Sequence, residues 1–150
     1  MEIVNITEEN KYFQEIVDIY YNWWGFKKNQ NYQEFYKKYL DYLNSEDIPK
    51  LYALINNNTL IGMYEINEKD YIFEKEYSPY LANVYVKKEF RGYKYSTILI
   101  KDALQQAASL GYKRLYLHTK HENYYEKYGF KFLLEVATKY GVKRIFVKDI

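Results

Sequence analysis

Apolar positions Phe13, Ile16, Val17, Tyr20 and Trp24 recur at helical spacing, which predicts an amphipathic helix with its stripe toward a core. Thr7 or Asn10 supplies the N-terminal cap and Gly25 a stop. The spacing returns at Tyr32, Phe35, Tyr36, Tyr39 and Leu43, predicting a second helix over Asn31 to Asn44. Ahead of both, Ile3 and Val4 sit among polar neighbours and predict a short strand, Glu2 to Ile6. The pattern then changes. Leu51 to Ile55 and Leu60 to Ile66 are β-rich runs flanking Asn56-Asn57-Asn58. Asparagine tolerates left-handed backbone, so this reads as a hairpin. Asn67 to Pro79 is a charged, aromatic connection. Tyr80 to Val86 reads as a strand, with Leu81, Asn83 and Tyr85 on one face and Ala82, Val84 and Val86 on the other.

Arg91 to Ser96 is predicted as a turn, and Thr97 to Leu110 as a helix with Leu99, Ile100, Ala103, Ala107 and Leu110 on one stripe and Gly111 as its stop. Arg114 to His118 is a strand in which Leu115 and Leu117 share a face, turned inward or outward. Glu122 to Tyr128 reads as a short helix ended by Gly129. Phe130 to Val136 and Val142 to Lys148 form a closing hairpin across Thr138 to Gly141. The predicted order is β-α-α-β-β-β-α-β-α-β-β in a single domain over residues 1–150. The unit Tyr80 to His118 is a crossover, so its two strands are expected to be parallel and the rest mostly antiparallel. The fold class is α/β: a mixed sheet of about seven strands flanked by about four helices.

Composition narrows the function. The hydrophobic fraction is 48%, but 21 residues are tyrosine, so the core must lean on side chains whose hydroxyls need partners. Lys, Asn, Ile and Tyr share AT-rich codons, and their abundance reads as codon bias rather than as a stacking surface. Cysteine is absent, which removes disulfides, thiol nucleophiles and Cys-ligated metals. His121-Glu122 begins an apparent H-E-x-x-H, but Tyr125 fills the second histidine's place. The only other histidine is His118, and no metal is expected. A net charge of +2 from 22 basic and 20 acidic residues is too balanced for a nucleic-acid footprint. The uncharged run Leu51 to Tyr64 is too short to span a bilayer, so no membrane partner is expected. No secretory leader follows Met1-Glu2, and a cytoplasmic protein is the expectation.

The chemistry concentrates in Val84 to Ile100, V-Y-V-K-K-E-F-R-G-Y-K-Y-S-T-I-L-I. A strand delivers a basic, glycine-bearing turn to a helix N-terminus, where unpaired N–H groups and the helix dipole favour phosphate. The alternative is an ordinary strand–helix turn with a solvated arginine. Further on stand the strand Leu115-Tyr116-Leu117-His118-Thr119 and the segment Asn123-Tyr124-Tyr125-Glu126-Lys127-Tyr128-Gly129-Phe130. Together these resemble the GNAT N-acetyltransferase superfamily. In that family a V-x-V strand enters an R/Q-x-x-G-x-G/A turn that opens a helix, and an F-Y-E-K-x-G-F segment follows. Ser78-Pro79-Tyr80-Leu81-Ala82 also resembles the P-W-L-A lead-in to the fourth strand in one branch of small acetyltransferases. The resemblance covers essentially the whole chain. Arg91 fills the R/Q position, whereas Lys94 and Ser96 stand where the motif has small residues. Gly92 does not restore the register, because Glu89 would then fill the basic position. A Cβ at residue 94 limits backbone approach to a pyrophosphate, although the Lys94 N–H and ammonium remain available as donors.

The resemblance implies acetyl transfer from acetyl-CoA to an amine by direct attack, the acceptor being a small molecule or a peptide. It implies that Val84 and Val86, with Tyr85 between them, hold the pantetheine and polarise the carbonyl. The turn residues Arg91, Gly92, Tyr93, Lys94, Tyr95 and Ser96 would hold the pyrophosphate. The family's acid position falls on Tyr125, with Tyr124 and Tyr128 read as packing. Glu65, Glu74 and Glu76 are candidates to take a proton or hold an acceptor cation. Asn83 and His118 are placed to face the acceptor, and Trp23 and Trp24 to line its cleft, with packing the expectation for at least one of the two. Family members often dimerise, and the closing hairpin presents an edge on which two copies can pair. Two other readings compete: a catalytically silent acyl-CoA-binding or regulatory module of the same fold, suggested by Lys94, and an RNA-interaction domain, disfavoured by the balanced charge.

Overall fold

The computed structural model describes residues 1–43, 46–68, 77–138 and 141–150. Its strands are β1 (Glu2–Asn5), β2 (Lys50–Asn56), β3 (Thr59–Asn67), β4 (Tyr80–Val86), β5 (Arg114–Thr119), β6 (Lys131–Thr138) and β7 (Gly141–Asp149). Its α-helices are α1 (Phe13–Tyr20), α2 (Tyr32–Leu43) and α3 (Tyr95–Ser109). All strands join one sheet in the order β1-β2-β3-β4-β5-β7-β6. The β4–β5 pair is parallel and every other pair antiparallel, as the crossover requires.

The centres of the helical stripes read from the sequence are buried, while Trp24, Tyr32, Tyr36, Leu43 and Leu110 at their margins are half-buried. Phe13, Ile16, Val17 and Tyr20 of α1 join Phe35 and Tyr39 of α2 over Leu51, Ala53, Ile55, Leu60 and Met63 of the sheet. On the opposite face Leu99, Ile100, Ala103 and Ala107 of α3 meet Tyr52, Leu54, Leu115, Leu117 and Phe146. The period-2 alternation of β2 thus feeds two cores, one on each side of the sheet. Leu115 and Leu117 face α3. At the β2–β3 turn Asn57 and Asn58 both take left-handed backbone, φ 49° and 58°, the conformation the hairpin needs.

Several boundaries differ from the sequence reading. Gly25 does not stop the first helix. The chain runs on through a π-helical turn, Tyr21–Gly25, and a 3₁₀ turn, Phe26–Lys28, and stops at left-handed Asn29. A Cβ at Gly25 would lie 2.8 Å from the Tyr21 ring and 3.0 Å from Phe35, so this glycine serves close packing. Asn31 caps α2, its Oδ1 accepting from the N–H groups of Gln33 and Glu34. Tyr95 and Ser96, expected in the turn, form the first residues of α3. Glu122 to Tyr128 is not a helix but a bend leading into one 3₁₀ turn, Glu126–Tyr128. The described residues therefore hold three α-helices rather than four.

The difference that matters for function lies in β4. Met63 pairs with Tyr85 and Glu65 with Ala82, so β4 carries one residue more than β3 between the two pairings. Asn83 takes φ 51° there, which makes a β-bulge. The simple alternation fails beyond it. Leu81, Val84 and Val86 all face the α3 core, while Tyr85 turns to the α1–α2 side. Ladder pairing between β4 and β5 is confined to Tyr80 and Tyr116. The later half of β4 therefore has an edge with no β5 partner.

Candidate active site

That edge forms one wall of a cleft of about 870 Å³. Val84, Tyr85 and Val86 line it, continued by Arg91, Gly92 and Ser96. The end of the first helix supplies Ile19, Asn22 and Trp23, and the segment after β5 supplies His121, Tyr124 and Tyr125. The strand edge, the basic turn and the aromatic segment, far apart in sequence, thus meet in one place.

The turn from β4 to α3 is held by its own groups. Arg91 Nε donates to the Val86 carbonyl at 2.9 Å, and its guanidinium lies 5.3 Å from the Tyr85 ring centroid. Gly92 takes φ 90°, and a Cβ there would meet no atom within 4 Å. Lys94 is the N-cap of α3, at φ 63° and ψ 23°, with no side-chain capping hydrogen bond. The lysine therefore adopts the left-handed backbone that a glycine takes freely, at a cost of about 1–2 kcal/mol. The Lys94 side chain is exposed, Tyr93 is 69% exposed, and Tyr95 packs against the α3 core. Tyr93, Lys94 and Tyr95 do not line the cleft.

The opposite wall is tied to the start of α3. The Tyr124 hydroxyl donates to Ser96 Oγ at 2.9 Å, and the Tyr128 hydroxyl shares a 2.8 Å hydrogen bond with Thr97 Oγ1. Tyr125 is different. Its ring packs edge-on against Tyr124 and Phe130, and its hydroxyl makes no hydrogen bond among the described residues. Burial first, then the neighbouring Tyr124 and Tyr128, pushes its pKa up to about 12. The phenol keeps its proton through neutral pH, and Tyr125 lines the cleft. Gly129, at φ 91°, turns the chain after this segment so that Phe130 enters the core.

The other candidates divide. Trp23, 39% exposed, lines the cleft and lies 5.2 Å from the Tyr85 ring. Trp24 packs against Phe35 and Tyr39 instead. Glu65 is buried on the α1–α2 side and accepts hydrogen bonds from Tyr39, Tyr42, Asn67 and Asn83. Neither it nor Asn83 lines the cleft, and His118, paired across to Ile145, does not either. Glu74 and Glu76 lie outside the described residues. No group of three or more His, Asp or Glu suited to a metal occurs among the described residues, and no described helix is long and apolar enough to cross a membrane. Sequence reasoning missed Ile19, Asn22 and His121. Asn22 is polar where the first helix changes pitch, and His121 follows a strand end; neither pattern marks a cleft by itself.

The family model for the Acetyltransferase (GNAT) family matches residues 12–130. The chain belongs to that family. Solved GNAT structures share the fold at low identity. An aminoglycoside 6'-N-acetyltransferase complexed with coenzyme A superposes with a TM-score of 0.76 at 16% identity, over 99% of this chain and 97% of that one. The spermidine/spermine N-acetyltransferase of Vibrio cholerae, in mutant forms, gives 0.73 at 17%, over 99% and 95%. A GNAT family acetyltransferase from Elizabethkingia anophelis with acetyl-CoA bound gives 0.62 at 18%, over 99% and 97%. No curated protein matches the chain in sequence. The V-x-V strand meets Arg91, Gly92 and Ser96 at the cleft, and Lys94 keeps a left-handed backbone of the kind a glycine takes freely.

Proposed function

We propose that the protein is an acetyl-CoA-dependent N-acetyltransferase whose acceptor amine attacks the thioester directly in this cleft. The observation that carries the reading is the continuity of three features on one surface: the Val84–Val86 edge without a β5 partner, Arg91 and Gly92 with Ser96 at the start of α3, and Tyr125. A strand edge without a neighbouring strand offers amide groups to an extended pantetheine chain. The guanidinium of Arg91 and the N-terminal N–H groups of α3 suit a pyrophosphate. Gly92 has open space on the side where a Cβ would stand, which suits close approach of a bulky anion. Acetyl-CoA supplies an activated acyl group with a thiolate leaving group.

The residues then have separable tasks. An amine has an ordinary pKa of roughly 10 and must lose a proton to react. His121 lines the cleft and carries the kind of group that accepts such a proton. Tyr125, protonated up to about pH 12, is the donor to the departing thiolate. Trp23 and Tyr85 wall the side from which the acceptor approaches. Neighbours named for aminoglycosides and for spermidine favour a small amine over a peptide. The left-handed Lys94 supports the catalytic reading over a silent module, because the residue that suggested the module keeps the turn's backbone form. The outermost strand β6, with Phe132 and Leu133 exposed, is the edge we assign to a homodimer.

The test is release of CoA thiol from acetyl-CoA across a panel of polyamines, aminoglycosides, amino acids and peptide N-termini. Amine-dependent release, with the acetylated amine identified by mass, is expected. Tight acetyl-CoA binding without release for any amine would select the silent module.

A further inference from the structure

Behind the cleft wall a buried carboxylate stands next to a left-handed residue. Glu65 of β3 is 1% exposed. Its Oε1 accepts from the Tyr39 hydroxyl at 2.9 Å. Its Oε2 accepts from the Asn83 amide at 2.8 Å, and from the Tyr42 hydroxyl and the Asn67 amide at 3.3 Å each. A buried carboxylate is costly, and an apolar side chain at its place would serve packing as well or better. The donors show what the group holds together: α2, β3 and β4. The shortest bond comes from Asn83, the residue at φ 51° where β4 gains its extra position. The carbonyl of the same Asn83 accepts from the Tyr20 hydroxyl of α1 at 3.2 Å. Asn83 is thus gripped by side chain and by backbone at once.

We propose that Glu65 is a positioning residue: through the Asn83 amide it fixes the bulge of β4 and so sets the direction of the Val84–Val86 edge. Glu65 itself does not line the cleft, so it handles no substrate proton. The functional weight of this inference rests on reading that edge as the coenzyme-binding one.

Three variants test it, each read by backbone amide chemical shifts of residues 82–86, by acetyl-CoA affinity and by the pH–rate profile. Glu65→Gln keeps a carbonyl acceptor for Asn83, and the Tyr39 hydroxyl can turn to accept from the new amide. Its shifts and pH–rate profile should stay as in wild type, with affinity within about twofold. Glu65→Ala takes the acceptor from the Tyr39 hydroxyl and the Asn83 amide, moves the shifts and weakens acetyl-CoA binding by about tenfold or more. Asn83→Gly keeps the left-handed backbone but cuts the tether, and should move both readouts in the same direction. It decides the matter alone if Glu65→Ala does not fold. Unchanged shifts and affinity in the folded Ala and Gly variants would overturn the proposal. So would a Glu65→Gln protein that binds acetyl-CoA normally but no longer turns over, since Glu65 would then carry a proton. Should wild type fail to bind acetyl-CoA, the coenzyme reading is lost, and the amide shifts still decide whether Glu65 sets the bulge.

Discussion

At the scale of single residues, Tyr125 and Lys94 make the sharpest demands. Tyr125→Phe keeps the ring that packs on Phe130 and removes only the hydroxyl. A proton donor that acts in the transition state should cost turnover, not substrate affinity. Single-turnover rates are expected to fall by about 10²–10⁴-fold. Tyr124→Phe, which removes the bond to Ser96, should change them by less than about tenfold. An unchanged rate in Tyr125→Phe would leave solvent as the donor. Lys94 is judged by folding. Lys94→Ala keeps the left-handed strain, whereas Lys94→Gly relieves it. Chemical denaturation should place the glycine variant about 1 kcal/mol above the alanine variant; equal stabilities would contradict the left-handed assignment. The motif position itself was legible in sequence. The backbone form was not, because a lysine at φ 63° is a choice the surrounding turn imposes rather than one the residue prefers.

At the scale of elements, β4 decides whether a cleft exists. The strand was legible as Tyr80 to Val86, and the β2–β3 hairpin was legible because asparagines advertise left-handed backbone. The bulge at Asn83 was not, although the residue type is the same. Inside a hydrophobic run a lone asparagine looks like an ordinary alternation partner, and only its bonds to Glu65 and Tyr20 reveal the kink. The same blindness hid the end of the first helix, where a π-helical turn carries Asn22 and Trp23 to the cleft. On the other side of β4 stands Gly62. A Cβ there would lie 2.4 Å from the Tyr85 carbonyl oxygen, a backbone atom with no flexible end to move aside. Gly62→Ala should therefore push β4 off β3, destabilise the fold by roughly 1–3 kcal/mol and weaken acetyl-CoA binding. Thermal unfolding with and without acetyl-CoA checks both effects, and a variant matching wild type in each would mean that the two strands separate without consequence.

At the scale of the whole molecule, the tyrosine-rich core ties stability to alkaline pH. Tyr20, Tyr39 and Tyr64 are held well above the ordinary phenol value by burial first and by neighbouring carboxylates second, and Tyr125 sits at about 12. Between roughly pH 10 and 12 an unfolded chain releases phenolic protons that the folded chain retains, so stability present at neutral pH should be lost as pH rises through that window. Phenolate absorbance should rise together with loss of near-ultraviolet circular dichroism; full tyrosine titration near pH 10 with the fold intact would contradict the burial. The cleft is proposed as a coenzyme site. Titration of acetyl-CoA into wild type and into Arg91→Glu, followed by thermal unfolding, tests it most directly. Wild type should gain about 2.7 kcal/mol at about a hundredfold excess over the dissociation constant. Arg91→Glu should lose most of that gain at the same concentration, because it sets a negative charge beside the pyrophosphate. Absence of stabilisation in wild type, or equal stabilisation of the Arg91→Glu protein, would contradict the account.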